Sequence, residues 1–444
     1  MGVAELQRAN PRELTVHATA PTVASTSLWL VGEHFAAATV YLLVGAAGLV
    51  WIAPDLANGI YLTPHVAAVT HLFTLGWLTL TIFGALYQFM PVALGVPIHS
   101  ARAAHAAFWM LAPGIGGFAY GLAESSTPFV MSGVVLVAIG ILLAAGNVAA
   151  TLARSRSRDV TWAAIATAIV FLLSVLALGA MLADNLHSGL IAADRVRVLA
   201  AHLHVAIIGW VLIVIVGVSH RMLPMFLLAD GSDSRWSRRA LLLLALGVPT
   251  LAVGLIGRLP AASWTGAFLV DAGVAAFVWR VYALYRVRVR RALDPGMRFV
   301  RASLPFVASS AIMGPVLLGL GSTHTRLATA YVTTGLLGGL VLFVTGILYK
   351  IIPLLTWTVR FGRRLGRGPL PTAADLYSTG VARVQLTLTV AGVGLLLAGI
   401  AAASPLVART GTLSFLGAIV LFVYQIGRIR WGVPAALRSP PPSL

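Results

Sequence analysis

The chain has 444 residues, of which 59% are hydrophobic and only 10% charged, with a mean hydropathy of +0.92, and this excludes a soluble globular domain of ordinary make-up. A net charge of +18 would suggest a nucleic-acid partner in a soluble protein, but its distribution along this chain gives another answer. Cysteine is absent, so disulfides, thiolate metal sites and cysteine nucleophiles are excluded, and any metal must be held by His, carboxylate, Met or Tyr.

Charge-poor runs long enough to cross a bilayer fall at roughly 28–52, 65–91, 103–123, 129–152, 160–184, 198–224, 239–257, 264–284, 302–321, 327–353, 381–403 and 407–428. They predict an all-α integral membrane protein of twelve transmembrane helices, spanning 28–431 between a cytoplasmic N-terminal tail (1–27) and a cytoplasmic Pro-rich tail (432–444). With both termini inside, only Arg195, Arg197, Arg258, Arg326 and Arg409 of the 31 Lys and Arg fall outside, as the positive-inside rule requires. The basic runs at 154–158, 286–291 and 360–367 are therefore topology determinants with an affinity for anionic lipid headgroups, and nucleic acid is not an expected partner. The expected location is a bacterial-type inner membrane.

In chain order, the first span carries Glu33 and His34, a carboxylate and an imidazole that are costly in a membrane helix unless they face protein or water. The second begins at Thr63-Pro64 and bears His65 at the interface and His71 about a third of the way in, where an unpartnered imidazole would be costly. Spans three to five offer little chemistry beyond His105, Asp184 and Asn185, while Asp184, His187 and Asp194 lie in the outer loop. The sixth opens with His202-Leu203-His204, and residues two apart on a helix point about 200° apart, so these imidazoles serve two neighbouring compartments. The eighth contributes Asp271, for which the sequence offers no partner. The ninth is rich in Gly and Ser, which suits close helix packing. The eleventh and twelfth lack histidine and read as scaffold.

Three stretches share one skeleton. They are 71–97 (HLFTLGWLTLTIFGALYQFMPVALGVP), 204–224 (HVAIIGWVLIVIVGVSHRMLP) and 333–353 (TTGLLGGLVLFVTGILYKIIP). Counting back from Pro91, Pro224 and Pro353, glycine stands at minus seven (Gly84, Gly217, Gly346) and a ring at minus four (Tyr87, His220, Tyr349). A polar residue stands at minus three (Gln88, Arg221, Lys350), and His71, His204 and Thr333 stand at minus twenty. The prolines lie 133 and 129 residues apart, which predicts a threefold repeat of about four helices per unit, a pseudo-threefold bundle.

These residues resemble subunit I of the haem-copper oxidases. That family has twelve spans in a pseudo-threefold arrangement, and one of its helices carries His-x-His followed by Gly-x-x-Tyr-x-x-x-Pro. Here His202, His204, Gly217, His220 and Pro224 follow that spacing, with His in place of Tyr, and Pro91, Gly95 and Pro97 match the run that ends the family's second span. The departures are specific. The family's His-x-His lies on span ten, which has no histidine here, and the adjacent copper-binding histidines of its span seven are missing. The chain is more similar in outline to the NnrS family of twelve-span haem proteins associated with nitric oxide stress. The resemblance implies a haem b clamped between His71 and His202, and a second haem or a copper ion at His204. It also implies an oxidoreductase or electron-transfer role involving a small gaseous ligand such as nitric oxide or oxygen, with a membrane or periplasmic redox partner. Glu33, His34, Gln88 and His220, at similar depth near the inner face, are candidates for a proton path. The alternatives are a proton-coupled transporter, in which the histidines line a solute path, and a cofactor-free membrane scaffold.

Overall fold

A computed structural model describes residues 28–191, 194–289, 291–321, 323–364 and 370–431, so the expected tails at 1–27 and 432–444 lie outside the described residues. It is 87% helical, with no strand among the described residues. Twelve helices are long and apolar enough to cross a membrane: α1 (Leu28–Trp51), α2 (Pro64–Leu94), α3 (Ala101–Ala123), α4 (Thr127–Arg154), α5 (Val160–Ser188), α6 (Arg195–Leu227), α7 (Arg235–Ile256), α8 (Pro260–Val287), α9 (Pro295–Leu320), α10 (Thr325–Phe361), α11 (Thr379–Ala401) and α12 (Pro405–Trp431). The chain is thus an all-α, multi-pass membrane protein whose backbone polar groups are satisfied within the helices, as a lipid surround demands.

The packing repeats three times. Helices α3 and α4, α7 and α8, and α11 and α12 form the three most extensive pairs; α1, α5 and α9 each lie along α2, α6 and α10; and α4, α8 and α12 each pass on to α5, α9 and α1. This closes a ring of three four-helix units around α2, α6 and α10, which are the most buried spans at 72%, 61% and 72%.

The glycine columns have a packing cause. At Gly76 and Gly209 an added Cβ would lie 2.6 and 2.7 Å from Tyr41 of α1 and Phe171 of α5, and Phe306 of α9 presses on Gly338 in the same way. The minus-seven glycines repeat this one crossing further along, where a Cβ on Gly84 would lie 2.8 Å from His34 and one on Gly346 would lie 2.6 Å from the Gly296 carbonyl. Small residues let helix backbones approach where no water-driven force holds them together. A second glycine set, not evident from the prolines, joins each outer pair: Gly121 and Gly133, Gly254 and Gly266, and Gly399 and Gly411 all abut backbone across the hairpin, and a Cβ on Gly133 would fall 2.5 Å from the Phe118 amide.

The three inner helices also share a feature that composition could not announce. Residues Leu72–Thr79, Val205–Leu212 and Thr334–Val341 are wound as π-helix, eight residues each, directly after His71, His204 and Thr333. Such segments are rare and tend to mark functional regions. The Thr79 hydroxyl follows the wider winding, donating to the Thr74 carbonyl five residues back at 2.9 Å. Span nine departs from its expected close packing, because none of its residues beyond Val307 is buried.

The minus-three column has a structural role in two repeats. Arg221 bonds the carboxylate of Asp159, which also accepts from the Trp162 amide at 3.0 Å as the N-cap of α5. Lys350 bonds Asp294, the N-cap of α9, at 2.9 Å. The matching position of α1, counted from Tyr41, is Trp29, and Gln88 has no such acid to meet. Burial works against the Asp159 carboxylate, but the Trp162 amide and the Arg221 guanidinium outweigh it and hold the group below its ordinary range. Its stabilisation is therefore present above the unfolded value of about 4 and is lost as pH falls through the lower folded value. Asp159→Asn, which keeps a capping oxygen, is expected to cost under about 1 kcal/mol, and Asp159→Ala about 1–2 kcal/mol. Thermal unfolding at neutral pH checks the order, and in acid the wild type is expected to fall toward the Asn variant.

Candidate functional site

On each inner helix the residues at minus twenty-two and minus twenty precede the π segment: Val69 and His71 on α2, His202 and His204 on α6, Tyr331 and Thr333 on α10. They are still α-helical, so the members of each pair point to opposite sides. Each gap between consecutive inner helices then receives the minus-twenty residue of one and the minus-twenty-two residue of the next. The first gap brings together His71 and His202, the second His204 and Tyr331, and the third takes Thr333 and Val69.

The first compartment is a cavity of about 170 Å³ bounded by α2 to α6, its wall almost wholly apolar, with Phe118, Val137, Ile141, Leu172 and Val175 prominent. The two imidazoles sit in it with ring centres 6.4 Å apart and planes inclined by 39°. His71 Nδ1 donates to the Ala67 carbonyl at 2.7 Å, which fixes the tautomer and leaves the Nε2 lone pair for the cavity. His202 Nδ1 is buried and makes no hydrogen bond of normal geometry, although the Val175 carbonyl interacts with the ring. Gly179 of α5 faces this ring, and a Cβ there would lie 3.0 Å from His202 Cε1. Trp210 closes the deep end, donating from Nε1 to Thr79 at 3.1 Å. At the other end the lining reaches Tyr61, Leu62 and Arg195. Arg195 makes no ion pair or hydrogen bond from its side chain among the described residues. Its neighbour Asp194 is taken up first by Arg258, at 2.9 Å, and also by Arg197, and these guanidiniums hold its carboxyl below the ordinary range.

These features fit a planar, largely apolar cofactor with a metal at its centre. Imidazoles bound through one nitrogen each to a single ion, with metal–nitrogen bonds of about 2 Å, have ring centres about 6 Å apart. The observed 6.4 Å meets that condition. In His71 the ring nitrogen away from the cavity is already held by the Ala67 carbonyl, as is usual for a metal-bound histidine, and the free Arg195 guanidinium suits acidic substituents at the rim.

The second compartment has the same construction and different chemistry. His204 Nδ1 donates to the Ala200 carbonyl at 2.7 Å, so its Nε2 accepts from the Tyr331 hydroxyl, 3.0 Å away. Tyr331 stands where His202 stands in the first gap, and Gly314 lies against it as Gly179 lies against His202. Beside it is a cavity of about 70 Å³ whose polar lining is Tyr331, Asp271 and Ser310. The third gap is filled: Val69 packs on Gly48, Phe73 meets Phe415 and Trp77 meets Phe422. Among the described residues no group of three or more His, Cys, Asp or Glu side chains is placed to hold a metal ion.

The remaining candidates divide into two places. Glu33 bonds His105 at 2.7 Å and lies 4.0 Å from His34 Nδ1, which also contacts the Leu30 carbonyl at 2.8 Å. His34 is fully buried, with its ring 5.5 Å from that of Tyr87, and its Nε2 and the Gln88 Oε1 are buried without hydrogen-bond partners. His220 is elsewhere, 3.2 Å from Ser237 of α7 and beside the Asp159–Arg221 pair. The places of Gly179, Trp210 and Arg195 around the first cavity did not emerge from the sequence, which gave Arg195 only as an outer-side charge. Glycines in the fifth and ninth spans were a signal, but those spans align only once the crossings are known.

Comparison of the chain with protein-family models and with curated proteins returns no match. Tyr331→Phe leaves His204 Nε2 a buried acceptor without its donor, and is expected to lower stability by about 1–3 kcal/mol. The thermal unfolding of the two proteins in the same detergent measures this, and equal stability would contradict the bond.

Proposed function

We propose that the protein is a haem-binding integral membrane protein of the haem-copper oxidase type without a complete copper centre, acting in electron transfer. The observation that carries this reading is the pair of imidazoles facing each other at 6.4 Å across an apolar cavity. His71 Nε2 and His202 would hold a b-type haem. Such a group, when bound, supplies a one-electron couple whose potential depends on its axial ligands and on burial. The chain's own part is to fix and to exclude. The Ala67 carbonyl holds His71 in one tautomer, the Val and Leu walls keep water away, Trp210 closes the deep end, and Arg195 answers acidic groups at the rim.

If both His71 and His202 held the group, neither ring would leave room for nitric oxide or another small gas, so electron transfer is favoured over gas handling. His204 is left out of the ligand set, since both its ring nitrogens have partners, and a second haem or copper ion there would require Tyr331 to move. The charge asymmetry of the loops supports a bacterial-type inner membrane with both termini cytoplasmic. Arg195 and the cavity rim would then face the side of a periplasmic or membrane redox partner.

The test is the dithionite-reduced minus oxidised optical spectrum of protein purified from haem-replete cells, beside His71→Ala, His202→Ala and His204→Ala. The expected result is a b-type signal in the wild type, lost or changed in spin state in the first two variants and retained in the third. A folded wild type without a haem signal would overturn the reading and return attention to transported solutes. Gly179→Val, which fills the space against His202, is expected to reduce haem content several-fold at unchanged expression, as measured by the haem-to-protein ratio.

A further inference from the structure

The second cavity carries an acid in the middle of a membrane helix with no cation to balance it. Asp271 stands near the centre of α8, and its carboxylate has no charged or hydrogen-bonding partner among the described residues. It lines the cavity of about 70 Å³ together with two further polar groups, Ser310 of α9 and Tyr331 of α10, and its charge acts on the Tyr331 phenol. The Tyr331 proton is given to His204, so the phenol oxygen is left as an acceptor. The Ser310 hydroxyl makes no hydrogen bond among the described residues and lies where it limits the space at Gly335. The rest of the wall is aliphatic, from Leu203 and Leu212 of α6 to Val274 of α8 and Leu336 of α10, and no lysine or arginine lines it. A bare carboxylate in such surroundings is costly unless its charge is cancelled.

We propose that this cavity is a binding site for a small primary ammonium ion, a short alkylamine in its charged form. Such a head carries a single positive charge and three N–H donors. The cavity meets it with the Asp271 carboxylate as counter-charge and with the Ser310 and Tyr331 oxygens as further acceptors. A water needs only about 10–15 Å³, so there is room for several heavy atoms, and the aliphatic wall suits a short alkyl chain. A hard inorganic cation is served less well, because it takes about six or more oxygen ligands and this wall supplies few. On the α9 side no residue beyond Val307 is buried, so the wall that carries Ser310 is the least covered and is the side of entry from the bilayer. The first cavity cannot hold such an ion, since its lining has no acid and includes Arg195. The proposal rests on the second cavity alone and holds whether or not the first carries haem.

The experiment is equilibrium binding of radiolabelled ethylammonium to the full chain in lipid nanodiscs at neutral pH. Empty nanodiscs give the baseline, and thermal unfolding shows that each variant is folded. The wild type is expected to bind the ion saturably. Asp271→Asn is expected to weaken binding at least about tenfold, and Ser310→Ala several-fold, because each removes an acceptor for a charged donor. Tetramethylammonium has the charge but no N–H, and it is expected to compete far less well than methylammonium, as is sodium. If Asp271→Asn fails to fold, Ser310→Ala and the competing cations decide. A folded wild type with no binding above empty nanodiscs would overturn the proposal, and so would binding that the folded acceptor variants leave unchanged. Competition by tetramethylammonium or sodium as strong as that by methylammonium would overturn it as well, since the cavity would then read charge alone.

Discussion

Two side chains placed two residues apart on a helix cannot face the same neighbour, and the middle of this molecule is built on that constraint. Each of α2, α6 and α10 sends one side chain into the gap on one side and a second, two residues earlier, into the gap on the other. The glycines at Gly76, Gly209 and Gly338 bring α1, α5 and α9 hard against these helices, and the π segments begin where the paired side chains end. One geometry is thus repeated three times, and only the side chains at its key positions differ.

The differences grade the three gaps. The first holds two imidazoles in an apolar cavity, the arrangement on which the proposed haem site rests. An imidazole bonded to a phenol, with an acid lining the cavity beside them, makes the second a polar compartment. Threonine and valine, backed by Phe73, Trp77, Phe415 and Phe422, make the third a packed seam. The opposite ends of these helices follow similar logic, with Asp159–Arg221 and Asp294–Lys350 tying α5 to α6 and α9 to α10. In the first repeat that tie is gone, and Glu33 bonds His105 nearby. Symmetry supplies the scaffold, and its local loss supplies the chemistry.

Much of this was legible in the sequence. The twelve spans follow from hydropathy, and the proline spacing of 133 and 129 residues reappears as the spacing of the π segments. The helical period put His202 and His204 on opposite faces, and they do serve different compartments, with His204 meeting Tyr331. What stayed hidden was contact between helices far apart in the chain. Asp271 offered no partner because its neighbours come from α9 and α10, and Glu33 gave no hint of His105, 72 residues on. The hairpin glycines Gly121, Gly133, Gly254 and Gly266 were in plain view, but a glycine is informative only beside the backbone it approaches. The π winding has no compositional mark in LFTLGWLT, VAIIGWVL or TGLLGGLV.

The claim at the centre of this account is that the gap between α2 and α6, alone of the three, is a compartment for a metal-centred group. An electron cryo-microscopy map of the protein purified from haem-replete cells tests it most directly. The account predicts density for a flat macrocycle between His71 and His202, its acidic edge toward Arg195, with Tyr331 still bonded to His204. Density for such a group in the gap between α6 and α10, or a first gap closed by its own side chains in a haem-loaded preparation, would contradict it.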